Sequence, residues 1–174
     1  MKHAFPIGVV LVLALGGCAS RGDGGAAGAP MVPPIAPEQR LLAVRSAAGD
    51  IEKELSVQPL RDPQVEDLRQ RSAAAIAARD YRSAADALNQ ALLIVAEDPG
   101  ILQERAEVAL LQSEFERAET LAQRAYASGA QVGPLCRRHW ATIEQSRLAR
   151  GRTDDAASAR AQIGACTVPG FERM

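Results

Sequence analysis

Aromatic residues are nearly missing from this chain. Two Tyr, three Phe and one Trp make up 3 % of its 174 residues. A β-sandwich draws its packing from aromatic and β-branched side chains, and a direct glycan binder needs exposed rings, so the composition speaks against both. Alanine is abundant instead. Small side chains let helix axes approach closely, which points to an all-α fold. Chemistry-bearing residues are equally scarce. Histidine occurs twice, as His3 and His139. No GxSxG, HExxH, CxxC, GxGxxG or phosphate-binding glycine loop is present. Neither sign of charge dominates, with 20 basic and 21 acidic residues and a net charge of −1. Removing the first 17 residues, which carry Lys2 and no acid, makes the remainder one unit more negative. Binding to nucleic acid therefore has no electrostatic support. The expectation is a non-enzyme with no cofactor, no metal and no small-molecule substrate.

Long apolar runs are absent too. Ile7 to Leu15 is about nine residues, too short for a hydrocarbon layer of ~30 Å and the right size for the core of an export signal. Small residues follow it, then Cys18, the first of three cysteines. Leu15-Gly16-Gly17-Cys18 resembles the lipobox of bacterial lipoproteins. The resemblance implies that residues 1–17 are a signal peptide and that Cys18 is acylated after cleavage. Several acyl chains on one residue hold a membrane stably, where a single chain does not. Ala19 and Ser20 after the cysteine, with no Asp, imply by the same resemblance the outer membrane of a Gram-negative bacterium, facing the periplasm. Residues 18–37 continue as a Gly/Ala/Pro-rich tether with a mean reach of roughly 25 Å. The Arg21-Gly22-Asp23 triplet inside it is a short match that such a linker produces by chance.

From Glu38 the pattern turns helical. Leu41, Leu42, Val44, Ala48, Ile51 and Leu55 form a broad stripe, interrupted by Gly49-Asp50, so residues 38–58 read as an N-terminal helix. A repeat follows over 62–166. Asp62-Pro63 and Asp98-Pro99 are the same start device, an Asp that caps and a Pro that fits the first helical position. Gly133-Pro134 is a third start. The second helices align as well. Tyr81, Ala84 and Ala91 stand 34 residues before Phe115, Ala118 and Ala125. This helix–turn–helix period resembles the tetratricopeptide repeat (TPR). The third unit has Trp140, Ile143, Gly151 and Ala156 in the matching slots, but Thr153 and Arg160 where an aromatic and an apolar residue are expected. The resemblance implies about three TPR-like units stacked as a short right-handed superhelix, with residues 167–174 as a tail.

Cys136 opens the third unit's first helix and Cys166 follows its second. Those ends are adjacent in an antiparallel pair, and an exported protein meets an oxidising compartment, so a Cys136–Cys166 disulfide is expected. Cys136 and His139 are three residues apart, yet no orienting third group accompanies them, and His139 reads as a surface or partly packed residue. Trp140 reads as a core anchor. By the family resemblance, the first helix of each unit lines a partner-binding groove. The equivalent positions are Arg69, Ala73 and Ile76; Gln103, Glu107 and Leu110; and Arg138, Gln145 and Leu148. The N-terminal helix is placed to pack over the first unit or to fill part of that groove. The functional expectation is a membrane-anchored adaptor that binds an envelope or periplasmic protein. A peptidoglycan-associated binder or cell-wall enzyme accessory, and a self-associating structural lipoprotein, are the alternatives.

Overall fold

The computed structural model describes residues 35–49 and 62–167. Expectations for residues 1–34 (signal, Cys18 and most of the tether), for 50–61 and for the tail from 168 fall outside the described residues. The described chain is all-α, with seven helices and no strand. They are α1 Pro37–Ala47, α2 Pro63–Ala77, α3 Tyr81–Ile94, α4 Pro99–Leu111, α5 Phe115–Ser128, α6 Gly133–Ala149 and α7 Thr153–Ala165.

The start signals act as their chemistry requires. The Asp62 carboxylate accepts from the Gln64 N–H at 2.8 Å, and Asp98 accepts from the Ile101 N–H at 2.8 Å. Asp80 does the same for α3, accepting from the Ser83 N–H at 3.0 Å. Each cap satisfies a donor that the first helical turn leaves open. The helix pairs α2–α3, α4–α5 and α6–α7 are joined by three turns of one design. Arg79, Ser113 and Gly151 sit in the left-handed region at φ 59°, 60° and 71°. The following N–H groups of Asp80, Glu114 and Arg152 donate back to the carbonyls of Ala75, Ala109 and Arg147 at 2.8–2.9 Å. This is the six-to-one hydrogen bond of the Schellman ending, and it reverses the chain within three residues.

Packing runs in chain order. Each pair is in contact along its length, and α3 meets α4 as α5 meets α6. Val65, Leu68, Ala84, Leu88, Ala91 and Ile101 form the first core cluster, joining α2, α3 and α4. Ala106, Ala122, Ile143 and Ala159 form another, joining α4 to α7. Ala84, Ala118 and Ala156 are all buried at the crossings of their helix pairs. The second crossing lies in a third cluster, where Ala118 meets Ala109, Leu110 and Ala141. The third pair is closed by the Cys136–Cys166 disulfide, with Cα atoms 5.7 Å apart. Beside it the Gly133 N–H donates to the Cys166 carbonyl at 2.8 Å.

The N-terminal segment is described as far as Gly49. The described helix stops at Ala47, and Gly49 takes φ +75°, where a side chain is strained. Ile51 and Leu55, the last two residues of the stripe, lie outside the described residues. Leu41, Val44 and Ala48 are buried, whereas Leu42 faces solvent at 65 % exposure. α1 lies on α4 and α6 rather than over the first helix pair. Arg40 donates to the Gln145 carbonyl at 3.4 Å and Arg137 donates to the Ala48 carbonyl at 2.9 Å. The order 40-to-145 and 48-to-137 makes α1 antiparallel to α6.

Candidate functional site

The first helices α2, α4 and α6 share one face, and α1 lies along part of it. What remains beside α1 is a groove of about 630 Å³. Five of the nine expected residues line it: Arg69, Ala73, Ile76, Glu107 and Arg138. α2 supplies an apolar wall through Ala73, Ile76 and Ala77, since Ile76 follows Ala73 at i+3 on one helix face. Beside this wall an ion-pair lattice ties α2 to α4. Arg69 Nε donates to both oxygens of Glu104, at 3.1 and 3.0 Å, and its Nη1 donates to Glu66 at 2.8 Å. The hydrogen bonds it donates to Glu104 hold the Arg69 guanidinium protonated well beyond its ordinary range.

Three of the other four expected residues are covered. Leu110 is fully buried beneath Val44 of α1, in the cluster of Ala109, Ala118 and Ala141. Gln145 is buried and engaged through its carbonyl by Arg40. Gln103 is buried between α4 and α6, and Leu148 is half-buried away from the groove lining. The cover follows from α1, whose Leu41-Val44-Ala48 spacing presents one apolar edge to α4 and α6.

Between α4 and α6 runs a polar network that no local sequence pattern announces. Gln103 Nε2 donates to Glu107 Oε1 at 3.0 Å and to Thr142 Oγ1 at 2.8 Å. Thr142 in turn donates to the Arg138 carbonyl at 2.9 Å. Glu107, buried to 1 % exposure, also accepts from Arg138 Nε at 2.9 Å and from Arg45 of α1 at 3.3 Å. A buried carboxylate is tolerated only when paired this fully. His139 completes the set. It is fully buried, beyond the surface or partly packed placement its sequence context suggests, because α6 turns it toward Gln103. Gln103 Oε1 can only accept, so His139 Nδ1, at 2.8 Å, carries the proton. Its Nε2 is buried without a hydrogen-bond partner. Burial, with Arg138 nearby, pushes the imidazole down to about 4.

This arrangement ties α4 to α6. The Cys136 sulfur is committed to Cys166, so no thiolate stands beside His139. Trp140 is half-buried and packs edge-on to Tyr126, with ring centroids 5.0 Å apart and no open face in a cleft. Among the described residues, no group of three His, Cys, Asp or Glu side chains is placed to hold a metal ion. None of the described helices is long and apolar enough to cross a membrane.

A second network joins α5 to the α6–α7 turn. Glu119, itself buried, accepts from Arg147 at 2.7 Å and from Arg150, with Arg152 3.7 Å away. The partners stand 28 to 33 residues apart in sequence, so only the stacking of the helix pairs brings them together. The chain was compared with protein-family models, with curated proteins and with solved structures, and none matches it.

Proposed function

We propose that this protein is a non-enzymatic, membrane-anchored adaptor built from three TPR-like units, which docks an envelope protein on the face shared by α2, α4 and α6. The observation that carries the reading is the groove itself, with an apolar wall on α2 and charged residues of α4 and α6 opposite. Extended peptides and helices bind such faces through apolar anchors, with charges setting register. The TPR-like reading is supported by three turns of one geometry and by packing in chain order. It is supported further by a buried alanine at each crossing. It accounts for the 34-residue period, because each unit buries its apolar face only against a neighbour.

Anchoring through Cys18 in the outer membrane, on the periplasmic side, is supported by the lipobox-like Leu15-Gly16-Gly17-Cys18. The disulfide fits an oxidising compartment. Replacing Cys18→Ser is expected to abolish incorporation of labelled palmitate and to remove the protein from the outer-membrane fraction. Palmitate incorporation that survives the substitution refutes the anchor. Crosslinking in intact envelopes tests the adaptor. Recovery of a protein partner through residues at Arg69 or Ile76 is the expected result, and binding to purified sacculi with no protein captured overturns it.

A further inference from the structure

We propose that α1 is a built-in occupant of the α4–α6 part of the shared face, next to the open groove, and that the partner's docking segment is a basic amphipathic helix that takes its place. The proposal rests on the adaptor reading and names the chemistry of its partner. Three observations carry it. First, α1 is weakly held. Eleven residues are too few to keep a helix in water unaided, and its buried apolar contacts come from Leu41, Val44 and Ala48. Second, the polar layer beneath it closes without it. Gln103, Glu107, Arg138, Thr142 and the Nδ1 of His139 hydrogen-bond to one another within α4 and α6, and Arg45 is the α1 side chain that joins them. Lifting α1 leaves Glu107 paired with Arg138 and Gln103. The seat of α1 is thus part apolar, through Val44, and part polar, as transient interfaces are.

Third, α1 spells out what the seat selects. Arg45 meets the buried Glu107 carboxylate, and Arg40 lies over the Phe115 ring at 5.7 Å while donating to Gln145. Leu41, Val44 and Ala48 form the edge between them. The occupant is therefore a helix with the order Arg, apolar, two positions, apolar, Arg, two positions, small residue. Glu107 takes an Arg of the occupant as a second partner beside Arg138, and Arg137 receives the carbonyl at the end of the occupant's helix.

The test uses a fluorescent peptide of residues 35–49 as the probe. The protein is the chain from residue 19 onward, exported with a cleavable signal. The short connection holds α1 near its seat at an effective concentration on the order of 1 mM. Leu41→Glu/Val44→Glu in the protein should free α1, so that its amides exchange rapidly while those of α2 to α7 stay protected. This variant is expected to bind the peptide about tenfold or more tightly than the unmodified chain. An Arg45→Glu peptide should lose that gain. Equal binding to both proteins, or no binding to the variant, overturns the proposal. So does loss of protection across α4 and α6, which would make α1 part of the core. The adaptor reading fails separately, on the envelope crosslinking, whatever the peptide does.

Discussion

Removing the disulfide should free the last helix and little else. Cys136 and Cys166 are 30 residues apart in the chain. Closing a loop of that length is worth about 3.6 kcal/mol in the chain-entropy treatment. Little competes with this within α7. Ala156 and Ala159 are its buried apolar residues, each contributing on the order of 1 kcal/mol. The Arg160–Glu144 pair, at 2.7 Å, has its guanidinium 73 % exposed, so it adds less than about 1 kcal/mol. Hydrogen exchange by mass spectrometry, on oxidised protein and on the Cys136→Ala/Cys166→Ala variant, reads the difference directly. Amides of α7 should exchange about 400-fold faster in the variant, and those of α2 to α4 at unchanged rates. A difference under tenfold in α7 would refute the reasoning, since helix packing would then be sufficient without the bridge. Loss of protection throughout would refute it in the other direction, because the pairs would then unfold as one unit.

Two further outcomes follow from the buried residues. His139 is held neutral down to about pH 4, whereas an unfolded histidine takes its proton near 6.5. Its contribution is complete above pH 6.5 and is lost as pH falls to 4, by up to about 3 kcal/mol. Urea unfolding across that range should show a slope that His139→Gln reduces, and identical slopes would sink the assignment. Ala118 is fully buried where α5 crosses α4, against Leu110 and Ala141. Ala118→Leu should cost about 2–3 kcal/mol through overpacking. Leu42→Ala, on the exposed side of α1, should change stability by less than about 0.5 kcal/mol. Similar midpoints for the two variants would contradict the close crossing.

What could be read in advance was local. Asp62 and Asp98 cap helices with their own side chains, so their effect is written within three residues of each start. The cysteine pairing was legible because it joins two ends of one helix pair. The groove was legible in part. Positions 69, 73 and 76 face it because α2 has no counterpart of α1 lying on them. Leu110 and Gln145 occupy the same kind of position but are covered, a matter of where a separate helix lands. His139 misled for the same reason, because its burial depends on Gln103, 36 residues away. Glu119 and its arginines were invisible, since nothing in sequence ties residues that meet only across stacked pairs.

The place of α1 in the chain has a mechanical consequence. A load applied on the N-terminal side of Pro37 reaches α1 before any other described helix. The Glu38–Tyr81 hydrogen bond, 2.9 Å at the exposed start of the helix, is the first contact to bear it. Arg40, Val44 and Arg45 follow one at a time toward Arg137. Bonds loaded in series peel at low force, while the stacked pairs behind them carry no tension until α1 has come away. Pulling from that side would thus uncover the α4–α6 face beneath α1 without unfolding the domain that owns it.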